Sequence, residues 1–233
     1  MEVSLVARFT GRLRPLAARH RPSNAGQGLV EFSLILPLIL LLLLGMMEFG
    51  VAFNRQLTLE YATREGARTG ASLVNGGGTL GCSSGQSPNA AAVDPQIVAA
   101  VERVLKEPPN DVPILRPIDI NQVQGIRIFE VTSSGTITGK GNDWSYSAGA
   151  GPVIDGQRLD FVQGSVSWSA CSRSNANPPG SIGVSIAYGY SFITPLGTLN
   201  QLLARMWRDE QNPPLNNTLT MRDRTIMQLN PTQ

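Results

Sequence analysis

Few residues of this chain have the types and spacing that catalysis needs. The only histidine in the 233 residues is His20, which lies in a basic N-terminal stretch. Ser-His-Asp triads, Cys-His dyads and histidine-based metal sites are therefore not expected. Asp155 and Asp160 could act as a carboxylate pair, but their loop-like surroundings favour solvated turn residues. Residues 139–144 are interpreted as a loop that could offer oxygen ligands to calcium, but this loop lacks the spacing of a calcium-binding motif. The sequence predicts no enzyme, no bound metal and no cofactor.

A carboxylate at the start of a membrane-length apolar stretch is the most informative feature. Sixteen uncharged residues separate Glu31 from Glu48. The apolar stretch over residues 29–53 covers twenty-five residues. At about 1.5 Å per helical residue, this is enough to cross a hydrocarbon core of about 30 Å. An acidic residue in or beside such a helix is costly and usually has a partner.

Two roles are open for Glu31. Its side chain either reaches the lipid headgroups or neutralises a positive charge. A cut between Gly26 and Gln27 would create an α-amine at the same end of the helix as this carboxylate. A carboxylate there also interacts favourably with the helix macrodipole. In an assembly, it could neutralise the free amine of a neighbouring subunit.

Positive charge is concentrated before the apolar stretch. The net charge of the chain is only +2, which gives no case for nucleic-acid binding. The first 26 residues contain five arginines and one acidic residue: Arg8, Arg12, Arg14, Arg19, Arg21 and Glu2. This distribution predicts a single-pass protein with its N-terminus in the cytoplasm and its C-terminus outside. The apolar stretch is longer than that of a secretory signal, and no A-x-A-like cleavage site follows it. A plain uncleaved signal anchor is the alternative that the sequence leaves open.

The segment GQGLVEFSLILPLILLLLLGMMEFGVAFNRQLTLEYATREGARTGA resembles the N-terminal region of the TadE-like family, which comprises pseudopilins associated with Flp/Tad pilus systems. The residues that carry the resemblance are Gly26, Glu31-Phe32, Pro37, Glu48-Phe49-Gly50 and residues 62–68, ATREGAR. A basic leader, a glycine, Glu31-Phe32 and an apolar helix, in this order, also look like the class III signal of type IV pilin-like proteins. The strong part of the resemblance covers about residues 24–71.

This resemblance implies processing and assembly. A prepilin peptidase would remove residues 1–26, so that Gln27 becomes the first mature residue and Glu31 the fifth. Gln27 stands where type IVa pilins usually have Phe, which leaves N-methylation open. Glu31 and Phe32 would serve assembly with other pilin or pseudopilin subunits.

The expected location is the bacterial cytoplasmic membrane, with transfer to a cell-surface pilus after assembly. The expected partners are the membrane, the prepilin peptidase and other pilin subunits, without nucleic acid or a small-molecule substrate. The alternative is an uncleaved membrane-anchored extracellular binding domain, such as an adhesin.

A long N-terminal helix must position these residues. We expect a transmembrane part at 27–54, with a kink at Pro37, and an outer continuation at 55–72. A ridge of small residues in that continuation favours packing on the protein's own sheet over pairing with a second helix. An extracytoplasmic α+β domain is expected to follow over residues 73–233.

Within that domain, the sequence predicts a second helix that starts with Asp94 as its N-cap and Pro95 at its first position. Period-two patterns predict strands near 126–131, 159–168, 184–192 and 219–227, with Gly164 as a bulge or turn. Short loops between strands favour an antiparallel sheet, so the fold class is α+β and pilin-like.

The outer domain also contains several aromatic residues and two cysteines whose roles can be predicted. Five aromatic residues could form a sugar-binding surface, although strand packing is the more common role of such residues: Trp144, Tyr146, Trp168, Tyr188 and Tyr190. Cys82 and Cys171 both lie on the predicted outer side of the membrane. In that oxidising compartment, we expect one disulfide between them.

Overall fold

The computed structural model describes residues 25–73, 90–106, 118–173, 178–195, 197–198 and 218–230. The basic leader up to residue 24 and Cys82 lie outside these ranges. The chain divides into two compact units, Met1–Leu42 and Leu43–Gln233. The predicted boundaries at residues 26, 54 and 72 stay predictions.

The N-terminal helix is confirmed as α1 (Ala25–Ser72), and Pro37 lies inside it. Pro37 removes one backbone donor without ending the helix, and the kink stays a prediction. In the first unit, every residue from 26 to 42 is exposed. Among the residues with described positions, α1 is the one helix long and apolar enough to cross a membrane. A helix this apolar and this exposed needs apolar surroundings such as lipid.

The second unit is built on antiparallel strands. In chain order these are β1 (Val123–Val131), β2 (Ile137–Tyr146), β3 (Val153–Ile154), β4 (Gln157–Arg158), β5 (Phe161–Val166), β6 (Ser181–Ser191) and β7 (Thr218–Gln228). Five of them form one sheet in the order β5-β2-β1-β6-β7, and β3 pairs with β4 separately. All of these pairings are antiparallel. The predicted α+β class and the antiparallel sheet are confirmed.

The interpretation of segment 139–144 as a loop was wrong, because it lies inside β2, which pairs with both β1 and β5. Asn142 and Trp144 are buried. A buried amide breaks the alternation of apolar and polar residues from which a strand is recognised. Gly164 is confirmed as part of a bulge, because the β2–β5 register shifts opposite Asp143.

The second helix, α2 (Ala90–Lys106), begins before the predicted start. Asp94 is therefore not its N-cap, and Pro95 lies inside the helix. The carboxylate of Asp94 instead accepts hydrogen bonds from Arg173 (2.6 Å) and Asn142 (2.5 Å). Alanines at the start of α2 favour helix formation, so the carboxylate is available for these tertiary partners. The buried face of α2 agrees with its apolar pattern: Ile97, Val98, Val101 and Leu105.

The core of the second unit lies where α1 crosses β6 and α2. A Cβ added at Gly66 would lie 2.5 Å from Val101 Cγ2 and 3.3 Å from Val184 Cγ1, and one added at Gly70 would lie 2.7 Å from Ile182 Cδ1. The small-residue ridge therefore packs on the protein's own sheet, as predicted, and also on α2. Four of the five aromatic side chains considered for a sugar-binding surface are at most 2% exposed, which confirms packing for them: Trp144, Trp168, Tyr188 and Tyr190. The fifth, Tyr146, is partly exposed and packs edge-on against Phe161.

Candidate processing and assembly site

The residues predicted to serve processing and assembly lie together on α1, in the first unit. Gly26, Gln27, Glu31 and Phe32 are all exposed. Phe32 exposes 60% of its surface, so its ring is free to pack against another helix. A Cβ added at Gly26 would meet nothing within 4 Å. The described residues of this unit therefore do not require glycine at position 26.

One contact links the two sides of the predicted site. The Gln27 side-chain amide donates a hydrogen bond of 3.0 Å to Glu31 Oε1. Residues four apart lie on the same face of a helix, so this contact follows from the α-helical geometry. The Glu31 carboxylate therefore contacts residue 27. A cut after Gly26 would turn the backbone nitrogen of that residue into a free α-amine.

A second carboxylate on α1, that of Glu48, contributes to the family resemblance, but the sequence analysis predicted no role for it. Glu48 is 5% exposed. It accepts a hydrogen bond from the Tyr190 hydroxyl and from the backbone N–H groups of Ile193 (3.1 Å) and Thr194 (2.8 Å). We call Glu48, Tyr190, Ile193 and Thr194 the Glu48 clamp. It ties α1 to the end of β6 and the turn that follows.

A signal for this clamp was present in the sequence. Glu48 ends the uncharged run that Glu31 begins, and an acidic residue beside a membrane-length stretch needs a partner. The identity of the partner was not readable, because Tyr190 lies 142 residues further along the chain.

Arg55 extends the clamp on the side of β6. Its guanidinium lies 4.9 Å from the centre of the Tyr190 ring and donates a hydrogen bond of 3.2 Å to the Tyr188 hydroxyl. Burial, and then the hydrogen bond to Glu48, raise the pKa of the Tyr190 hydroxyl well above its ordinary value. Tyr190 therefore stays protonated and acts as a donor. The arrangement holds two elements together and presents no activated nucleophile.

The carboxylates proposed from the sequence as a possible pair have different surroundings. Asp155 lies in the β3–β4 turn with φ of +50°. Asp160 forms an ion pair of 2.9 Å with Lys106 and accepts a hydrogen bond of 2.6 Å from the backbone N–H of Gly149. Lys106 also pairs with Glu102. Asp160 is thus a structural link between α2 and the segment before β5 rather than a solvated turn residue.

The charges of this link shift its pKa values in the expected directions. Burial raises the pKa of Asp160, but the hydrogen bonds from Lys106 and Gly149 outweigh it and lower the pKa overall. Burial lowers the pKa of Lys106, whereas the hydrogen bonds to Glu102 and Asp160 raise it overall. Both groups are therefore charged at neutral pH.

Of the two cysteines predicted to pair, the structure describes only Cys171. Cys171 is disulfide-bonded and lies in the short 3₁₀ helix Ala170–Ser172, where the Ser169 side chain caps the first turn. Cys82 lies outside the described ranges, so its pairing with Cys171 stays a prediction.

Comparison with known proteins bears on the α1 segment. No curated protein and no solved structure matched the chain. Residues 26–68 match the model of a family described as TadE-like protein. The match begins at Gly26, includes Glu31 and Glu48, and ends within α1. The chain therefore carries a TadE-like region over residues 26–68, as its resemblance to that family indicated.

Proposed function

We propose that this chain is a pilin-like subunit, a pseudopilin or minor pilin, of a Tad (type IVb-like) pilus or secretion apparatus. In this proposal a prepilin peptidase processes it, and it assembles through its N-terminal helix. The observation that carries the proposal is the TadE-like match, which starts at the residue after which a class III signal would be cut. The role is structural, without catalysis.

The surroundings of Gly26 support processing at this bond. An added Cβ would meet none of the described residues within 4 Å, so a requirement for glycine would come from a partner such as a peptidase. A peptidase that must accept a residue without a side chain beside the scissile bond supplies such a requirement. Gly28 has equally open surroundings and is the matched control.

The reach of Glu31 supports assembly. After a cut, the α-amine of Gln27 would lie in the first turn of the helix, close to the carboxylate that already contacts the Gln27 side chain. In lipid, a carboxylate and an amine that neutralise each other avoid most of the cost of an isolated charge. Pairing with the amine of a neighbouring subunit would set the register between two helices. The exposed Phe32 ring would pack in the same contact.

The proposed topology follows from the charge distribution. The arginine-rich leader stays in the cytoplasm, α1 crosses the cytoplasmic membrane once, and the sheet lies outside. The partners are the membrane, the prepilin peptidase and other pilin subunits. After assembly the subunit becomes part of a cell-surface pilus.

Processing is tested by N-terminal sequencing and intact mass of the protein purified from native membranes. We expect a mature N-terminus at Gln27 in the wild type and in Gly28→Val, and an unprocessed chain in Gly26→Val. An intact N-terminus in the wild type would instead support an uncleaved anchored binding domain or adhesin.

Assembly is tested with Glu31→Gln, which keeps the size of the side chain and removes its charge. We expect normal membrane insertion and normal cleavage, with loss of the protein from sheared pili. Glu60→Gln is the control, because Glu60 lies on the same helix and forms an exposed ion pair with Arg64. Normal incorporation of the Glu31→Gln protein would show that Glu31 is an ordinary interfacial residue.

A further inference from the structure

Exposed apolar side chains lie on α1 and at the strand ends at the level of the Glu48 clamp, at one end of the second unit. We call them the collar. Their exposed fractions run from 42% to 73%: Met46 73%, Phe49 73%, Phe53 55%, Ile193 42% and Leu219 53%. Single exposed apolar residues need no explanation, but a group at one place marks an interaction surface.

The two strand-side members lie at the clamp because of the chain's own contacts. The backbone N–H of Ile193 donates to Glu48. Leu219 is the register partner of Tyr190 across β6 and β7, and the Tyr190 hydroxyl donates to Glu48. Ile193 and Leu219 are therefore at the same end of the sheet, next to the point where α1 meets it.

The three helix members share one face of α1. Met46, Phe49 and Phe53 have the spacing i, i+3 and i+7, which places them in one stripe. The rings of Phe49 and Phe53 are stacked, with centroids 6.3 Å apart. Phe53 is also the last residue of the membrane-length apolar stretch, so these three side chains lie at the end of the segment that is long enough to span a hydrocarbon core.

Two charged side chains of the described part of the chain lie near the collar, and both are turned away from solvent. Glu48 is buried with three donors on its carboxylate. Arg55 is only partly exposed, because its guanidinium packs on the rings of Tyr190 and Tyr188. Among the residues that the structure describes, the charges of Glu48 and Arg55 therefore do not oppose contact of the collar with an apolar phase.

We propose that the collar docks the outer unit on the membrane, with Ile193 and Leu219 in the boundary between headgroups and acyl chains of the outer leaflet. Aromatic side chains such as Phe49 and Phe53, at the end of a membrane-length stretch, suit this depth. The proposal rests on the membrane-spanning helix of the proposed function, but not on peptidase cleavage or pilus assembly.

The opposite end of the sheet offers matched controls. Ile137 is 42% exposed and Ile226 is 44% exposed. Ile137 pairs with Val131, which pairs with Ser181 at the start of β6. Ile226 lies on the same strand as Leu219, seven residues further on, which is about 24 Å along a strand. Their exposure therefore resembles that of the collar, but they lie away from the clamp.

The experiment measures how deep each of these positions lies in lipid. The full chain, with its native disulfide intact, is placed in phosphatidylcholine/phosphatidylglycerol nanodiscs. It carries one spin label at a time, through Ile193→Cys, Leu219→Cys, Ile137→Cys or Ile226→Cys. Collision with oxygen, which concentrates in lipid, is compared with collision with a water-soluble nickel chelate.

We expect labels at 193 and 219 to collide more with oxygen and several-fold less with the nickel chelate than labels at 137 and 226. Equal nickel accessibility at all four positions would overturn the proposal. Protection from both reagents at 193 and 219, with spin–spin broadening between labels, would also overturn it and assign the collar to a second copy. A failed N-terminal cleavage assay would leave this result unaffected, so the two proposals fail separately.

Discussion

Buried charged side chains in the second unit have specific partners. Glu48 has three hydrogen-bond donors. Arg173, whose side chain is fully buried, pairs with Asp94 and lies 4.4 Å from the centre of the Trp168 ring. Removing one partner of a buried charge is costly, because the remaining charge loses its compensation. These residues therefore hold α1, α2 and the segment after β5 in one arrangement.

Replacing Glu48 tests this at the residue scale. In Glu48→Gln, one carboxylate oxygen becomes an amide NH₂, which cannot accept a hydrogen bond from a buried donor. We expect a loss of about 1–3 kcal/mol in the free energy of unfolding, measured by denaturant titration of tryptophan fluorescence in detergent micelles. Glu60→Gln, at an exposed ion pair, should cost less than about 1 kcal/mol. Equal losses in the two variants would contradict the role assigned to Glu48.

The close approach of elements depends on the small residues of α1. Gly66 and Gly70 let α1 lie against β6 and α2 at distances that leave no room for a Cβ. Glycine lowers the intrinsic stability of a helix interior by about 1 kcal/mol relative to alanine. The packing of three elements at this crossing outweighs that cost.

Alanine substitutions separate the two effects at the element scale. Gly66→Ala should destabilise the protein by about 1–3 kcal/mol, because the added methyl overpacks the contact with Val101. Gly50→Ala, on the same helix with nothing within 4 Å of the added Cβ, should raise the stability by up to about 1 kcal/mol. The measurement is the free energy of unfolding under identical detergent conditions. A shift of the same sign in both variants would contradict the close packing at Gly66.

The link between Lys106 and Asp160 gives the contact of α2 with the segment before β5 a pH dependence. The pKa of Asp160 lies below its ordinary value of 3.8 in the folded protein. Its contribution to stability is therefore present above about pH 4 and is lost as the pH falls through the folded-state pKa. The raised pKa of Lys106 gives a contribution that is present below pH 10.5 and is lost as the pH rises through its folded-state value.

Lys106→Met tests this link. The difference in unfolding free energy between wild type and variant should be largest near neutral pH and shrink as the pH falls below about 4. Its size should stay below about 1 kcal/mol, because Lys106 is partly exposed. Lys140→Met is the control, because the Lys140–Glu130 pair is longer, at 3.6 Å, and more exposed. A difference that does not change with pH would contradict an electrostatic role for Lys106.

At the scale of the whole molecule, the two units suit different solvents. The described part of the first unit is an exposed apolar helix, whereas the second is a folded α+β domain. The exposed face of the first unit suits lipid. The second unit buries its core between α1, α2 and the sheet, as a water-soluble domain does. A disulfide suits the oxidising compartment in which this domain is proposed to lie.

The predicted pairing of Cys82 with Cys171 is tested on the whole chain. We expect no reaction with a thiol reagent under denaturing, non-reducing conditions, and modification of both cysteines after reduction. Cys171→Ser should lower the free energy of unfolding by about 2–4 kcal/mol. A disulfide-linked dimer on a non-reducing gel would contradict pairing within one chain.

Local patterns were sufficient for much of the fold. The position of α1, the buried face of α2 and the strands β6 and β7 follow from the period of apolar residues, because each pattern lies within one segment of the chain. Gly26 and Glu31 could also be proposed as candidate residues from their spacing to one apolar stretch, and their roles stay predictions.

Tertiary structure decided what depends on distant segments. Asp94 has the sequence context of an N-cap, but Arg173 and Asn142 supply stronger partners for its carboxylate. Strand β2 was not recognised, because its buried Asn142 interrupts the apolar pattern. The sequence alone determined a membrane-length helix with a carboxylate at its start. Glu48 meets its partners, and Ile193 and Leu219 come to lie beside them, only when β6 and β7 pack beside α1. No local pattern specifies which distant strand will supply a buried carboxylate with its hydrogen-bond donors.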